Sequence, residues 1–199
     1  MTTLTEAPQR EGRLILLGSA FSLCARLLDE DDSGDPSQTA GLLRDLLERL
    51  GDDEALAGLG RFLSEAGDLR SRAYLRPLAR LDVPPYETSY ETSGPGAGLP
   101  QQLADIAGFY LAFGFRAARE RPDHLVPELE FLSLLYVKEA YARISDDPAN
   151  AEVCSEGRAK FLGEHLLPSL SSAADRASTG GHDALRSLVS LPLHLAAAH

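Results

Sequence analysis

Apolar side chains return every three or four positions through almost the entire 199-residue chain, and nowhere do they alternate singly between turn formers as strands require. A chain patterned in this way is all-α, and its breakers mark off the helices. Leu14, Leu17, Phe21, Cys24 and Leu28 form the apolar stripe of a first helix, closed by Asp31-Asp32-Ser33-Gly34-Asp35-Pro36. Ala40, Leu43, Leu46, Leu47 and Leu50 give a second helix ending at Gly51, and Leu56, Leu59, Phe62, Leu63 and Ala66 a third ending at Gly67. A shorter fourth around Tyr74, Leu75, Leu78 and Leu81 stops at Pro84-Pro85. The fifth presents Leu103, Ile106, Ala107, Tyr110, Phe113 and Gly114 on one face. The next starts near Asp123 or His124, accepts Pro127 within its first turn and continues to about Ile144. Beyond Asp146-Asp147-Pro148, the stripe Val153, Cys154, Phe161, His165 and Leu166 is kinked or restarted by Pro168. A last helix runs from about Asp183 to Leu191, with a frayed tail from His194 to His199. No period of self-similarity appears, so the expectation is a single irregular bundle of about eight to ten helices over residues 1–199.

The longest stretch without helical pattern runs from Val83 to Pro100 and holds Gly94-Pro95-Gly96 and Gly98. A connection of that length inside a compact domain is a hinge or a functional loop, and as a hinge it would permit a domain-swapped dimer as well as a monomer. Thirty acids against nineteen bases leave a net charge of -11, which repels phosphate backbones and argues against nucleic acid. Cys24 and Cys154 lie in apolar helical patterns without metal or redox spacing, as buried thiols of a reducing compartment do. The apolar run Leu14 to Cys24 is not read as a secretion signal. Glu6 and Glu11 cancel Arg10 and Arg13, no small-x-small site follows, and the helical period continues through Arg26. The expectation is a cytoplasmic, unprocessed protein without stable membrane insertion.

Enzymatic signatures are missing: no HExxH, no phosphate-binding glycine loop leading to Lys-Ser or Lys-Thr, no GxSxG and no GxGxxG. His124 and Glu128 stand one helical turn apart and offer two metal ligands without a visible third, so no metal is assigned. Taken alone, Asp123 reads as a helix N-cap and His124 as a partly exposed first-turn residue.

Three segments change that weighting. Pro122, Asp123 and His124, preceded by Glu120, lead into a helix bearing Glu128, Leu129, Phe131 and Leu132. Pro84, Pro85, Tyr86, Glu87 and Tyr90 form a Pro-Pro-aromatic-Glu-x-x-Tyr segment, and Tyr110, Gly114 and Phe115 a Tyr-x-x-x-Gly-Phe. Together with Phe161-Leu162-x-Glu164-His165-Leu166, they resemble the TorD/DmsD/NarJ family of chaperones that assemble molybdenum oxidoreductases. The match spans residues 74–170, and it departs from the family pattern in having no tryptophan. The wording at Pro122 to Leu132 looks closer to chaperones of nitrate, chlorate, selenate, dimethyl sulfide or ethylbenzene enzymes. The resemblance implies a non-catalytic protein that holds the apo catalytic subunit and its twin-arginine leader until cofactor is inserted. Two arginines followed by an apolar segment call for acids beside an apolar groove. Tyr86, Glu87, Tyr90, Glu120, Pro122, Asp123, His124, Leu125 and Glu128 are the candidate contacts, with Tyr110 and Phe113 as further groove or core aromatics. Charge reversal at Asp123 is then expected to weaken peptide binding without unfolding the bundle. Weak GTP binding, known among similar proteins, and a generic helical interaction module are the competing readings. No cofactor is assigned.

Overall fold

A computed structural model describes residues 6–90, 98–117 and 121–198. Among them are nine α-helices: α1 Glu6–Leu28, α2 Pro36–Leu50, α3 Asp53–Ala66, α4 Arg76–Ala79, α5 Leu99–Ala112, α6 Leu125–Ile144, α7 Pro148–Phe161, α8 Leu167–Thr179 and α9 Asp183–Ala198. No strand occurs among the described residues, and the bundle is all-α as the periodicity requires. The breakers double as caps. Asp35, Asp52 and Asp147 each accept the backbone N–H of a first-turn residue, and Gly51 takes the left-handed conformation that ends α2.

Helix α1 packs chiefly on α6, while α9 closes the other side against α3 and α8. At the α1–α6 crossing a Cβ on Gly18 would stand 3.0 Å from the Ser133 carbonyl oxygen, so glycine lets the two backbones approach. One turn on, Phe21 stacks on Tyr136 with centroids 5.5 Å apart. The expected stripe of α1 is buried throughout, and burial pushes the Cys24 thiol up to about 12. Glu139, on α6, is buried but neutralised by Arg143 and Arg158, whose guanidinium nitrogens come within 2.7 and 2.9 Å of its oxygens.

Two expectations, on the fourth helix and on the C-terminal segment, need correction. The fourth helix is two 3₁₀ turns, Leu69–Ser71 and Ala73–Leu75, followed by the single turn α4. Arg72, with φ +48°, breaks the run there because its guanidinium is drawn to the carbonyls of Asp29, Asp32 and Gly34. The C-terminal segment is not frayed at His194: α9 continues to Ala198, Leu195 is buried, and His194 Nδ1 lies 3.1 Å from Glu54 Oε1. Pro192 is carried inside that helix. Between α7 and α8 the chain widens into a π-turn, Leu162–Leu166, which places Pro168 in the first turn of α8. Of the expected hinge from Val83 to Pro100, residues 83–90 are folded onto the bundle, and residues 91–97 lie outside the described residues.

Candidate functional site

Two prolines extend the backbone at 84–85, and that extended piece is laid against the entry to α6. The Glu87 N–H donates to the Asp123 carbonyl at 2.8 Å and the Leu125 N–H to the Pro85 carbonyl at 2.8 Å, so Tyr86 and His124 face each other as an isolated antiparallel bridge. Tyr90 Oη donates to the Pro84 carbonyl at 2.6 Å, closing the loop on itself. Tyr110, reaching from α5, donates to the Pro122 carbonyl at 2.7 Å. The motif segments are thus brought together, mostly through backbone.

Side chains reinforce the junction. Asp123 has no exposure and is not the N-cap of α6. It receives Thr88 Oγ1 at 2.6 Å and both Nε and a terminal nitrogen of Arg121, at 3.0 and 2.6 Å. Arg121 also donates to Thr88 Oγ1 at 2.8 Å and lies over the Tyr86 ring, 4.0 Å from its centroid. The cap is His124, whose Nδ1 accepts the Val126 N–H at 3.1 Å, with its ring edge-on to Tyr86. His124 is therefore buried, where a partly exposed position was expected. An Asp before the helix reads naturally as a cap, but the bidentate arginine two residues earlier holds its carboxylate away from the helix start. Charge reversal at Asp123 would bury a cation against Arg121, so that substitution reports on folding before it reports on binding.

Behind this latch lies a second acidic pair. Glu87 and Glu128 are both buried, and among the described residues no N–H or hydroxyl reaches either oxygen of Glu128 or Oε2 of Glu87. Burial first, then the charge and hydrogen bond of Glu87, then the charge of Asp123, hold the Glu128 carboxyl well above the ordinary carboxylate range. Burial and these two neighbouring acids thus favour the protonated form of Glu128. Glu87 Oε1 also lies 3.2 Å from His165 Nδ1. Burial, and then the nearby Glu128 and Glu87, push the Tyr110 hydroxyl upward as well, which keeps it a donor to Pro122.

Of the sequence-derived candidates, Glu87, Asp123, His124, Leu125 and Glu128 are buried, whereas Tyr86, Tyr90 and Pro122 are half-exposed. Glu120 lies outside the described residues. Tyr110 is core and Phe113 is half-buried against Phe131. His124 Nδ1 is taken up by the cap of α6, and both Glu128 oxygens lie buried without a hydrogen-bond partner among the described residues. Among the described residues the side chains able to converge on one metal ion are Asp105, Glu164 and His165.

The segment 81–90 borders two depressions. One, of about 110 Å³, is lined by Leu28, Glu30, Leu78, Leu81, Tyr86 and His124. The other is an open cleft of about 760 Å³ between this segment and the end of α8, lined by Asp82, Pro84, Tyr90, Asp175, Arg176 and His182 among others. Leu81 is 55% exposed and Asp82, Glu30 and Asp175 are exposed, so apolar and acidic groups share this face. Thr88, Arg121 and these surface acids escaped the sequence reading, because only the fold places them beside the motif.

The family described as nitrate reductase delta subunit matches residues 48–173, which include every element of the junction. No curated protein and no solved structure matches the chain.

Proposed function

Because the chain belongs to the nitrate reductase delta subunit family, we propose that it is a non-catalytic maturation chaperone, acting in the cytoplasm on the apo catalytic subunit of a molybdopterin oxidoreductase and on that client's twin-arginine leader. The family match carries this reading. The face around residues 81–90 supports it with the recognition chemistry, for half-exposed Tyr86, Tyr90 and Pro122 stand beside exposed Leu81 and beside Glu30, Asp82 and Asp175. A leader offering two guanidinium groups and an apolar helix needs both kinds of group within one peptide's reach.

The buried candidates take a different part in this reading. Asp123 is saturated by the chain's own Arg121, so an incoming arginine meets the surface acids. Glu87, Asp123, His124, Leu125 and Glu128 frame the site by fixing residues 84–90 on α6, while Tyr86 and Tyr90 face the client. Release follows when the folded, loaded client withdraws its secondary contacts, since a ligand holds a state only by differential affinity.

Charge reversal on the surface tests the assignment. Asp82→Lys and Asp175→Lys, combined, leave the unfolding midpoint within a degree or two because both sites are exposed. They lower affinity for a twin-arginine leader by about tenfold or more, each lost pair at a partly covered site contributing of order 1 kcal/mol. Calorimetric titration of the leader checks this, and unchanged affinity would remove this face from the site.

A further inference from the structure

Helix α5 meets the π-turn between α7 and α8 at Asp105, and three potential ligands converge there. Asp105 from α5, and Glu164 and His165 from the π-turn, place one ligand atom each within 4.8 Å of one another. Both carboxylates are exposed and would be unremarkable alone. His165 is the group that makes the cluster specific. Its side chain is 6% exposed, and its Nε2 is buried without a hydrogen-bond partner among the described residues. That nitrogen points at Asp105 Oδ2 from 3.5 Å. The separation is long for an N–H···O bond. It suits two ligands of one tetrahedral ion, because donors about 2.0–2.1 Å from a zinc stand about 3.4 Å apart.

The back of the ring is equally prepared. Nδ1 lies 3.2 Å from Oε1 of the buried Glu87, a contact in which the Nδ1–H tautomer donates and leaves Nε2, on the side of Asp105, as the ligand atom. A carboxylate behind a histidine fixes the ring and raises its basicity as a metal ligand. Phe109 and Phe161 flank the imidazole, with centroids 5.4 and 5.2 Å away, and limit water at that nitrogen. Lys160 Nζ lies 3.8 Å from Glu164, a loose surface pair that a dication would displace.

We propose that Asp105, Glu164 and His165 bind a first-row divalent cation of the Zn²⁺ class, with Glu87 orienting His165 and solvent or a client group completing the coordination. The ion would clasp α5 to the π-turn and, through Glu87, to the 84–90 segment. This inference does not depend on the chaperone reading, since it rests on the ligand geometry alone.

The test is direct titration of the full chain with Zn²⁺, and separately with Co²⁺ as a spectroscopic reporter. The expected result is a single site per chain, visible d–d absorption for the cobalt form, and a higher unfolding midpoint with zinc. Asp105→Asn and Glu164→Gln each weaken zinc binding by about tenfold or more. Being exposed, neither changes the midpoint of the metal-free protein. Zinc bound equally well by the Asp105→Asn/Glu164→Gln double variant would assign the ion to surface histidines such as His182 and overturn the proposal. So would a His165 ring carrying protons on both nitrogens in ¹⁵N spectra and unmoved by zinc, which would make the cluster a buried imidazolium salt bridge.

Discussion

Glu128→Gln makes the protein more stable at neutral pH, and the gain disappears in acid. Glu128 is fully buried on α6 beside Glu87, and its carboxyl is held well above the ordinary range by desolvation and by two neighbouring acids. In the unfolded chain the same group ionises near 4.5. Below that pH both states carry the proton and the group has no effect on the balance. As pH rises toward and through the folded value, the unfolded state gives up its proton first, so stability is lost over that window. A glutamine keeps the shape, donates its amide to Glu87 and has no proton to lose. The order of magnitude is that of an unsatisfied buried acceptor, about 1–3 kcal/mol. For a chain of this size that raises the unfolding midpoint by about 3 °C or more at pH 8. Thermal unfolding of both proteins from pH 4 to 8 checks it. Parallel curves across that range would mean that Glu128 is ionised in the folded protein at neutral pH and would contradict this account.

Substitution of Asp123 has the opposite sign and a larger size. Asp123→Asn keeps the hydrogen bond from Thr88 but leaves Arg121 facing a neutral amide, and costs about 2–3 kcal/mol. Asp123→Lys puts a cation at a site with no exposure next to Arg121, and costs upward of about 4 kcal/mol, enough to unfold a protein of ordinary stability. Residues 84–90 should loosen first, since Thr88 and the backbone bridge share this junction. Amide exchange at Glu87 and Leu125 reads that loosening directly. Denaturation midpoints of Asp123→Lys within a kilocalorie of the parent would contradict the latch and return Asp123 to the surface role its position in the motif suggests.

The helices were legible where a single periodic stripe carried the information. The apolar set of α1 is buried as its spacing requires, and α6 runs to Ile144 because nothing interrupts its pattern before Asp146-Asp147-Pro148. Where a side chain overrides local preference, the pattern misleads. Arg72 reaches back across some forty positions to Asp32 and Gly34 and turns the expected fourth helix into 3₁₀ turns. Leu195 and His194 extend α9 because α3 offers them a partner, which an apolar tail cannot reveal.

The site was legible as a set of segments and illegible as chemistry. The fold brings the motif positions Tyr86, Asp123 and His124 beside one another. Which of them face water depends on pairings such as Thr88 with Asp123, 35 residues apart, and Glu87 with His165, 78 apart. Helical periodicity states which face of a helix is apolar and is silent on which faces meet. Two acids in apolar surroundings read as a receptor for arginine when no partner is in sight. Here Asp123 holds an internal arginine, and Glu87 is buried against His165.

The most direct test of the chaperone assignment is calorimetric titration of the full chain with the twin-arginine leader of a molybdopterin oxidoreductase from the same organism, against the same peptide with both arginines replaced by lysine. Lysine keeps the charge but not the planar fork that pairs with carboxylates and stacks on tyrosine. The account predicts saturable binding of the arginine leader and weaker binding of the lysine peptide, with the difference reduced in the Asp82→Lys/Asp175→Lys protein. Equal affinity for the two peptides, or none for either together with no association with the apo catalytic subunit, would contradict it.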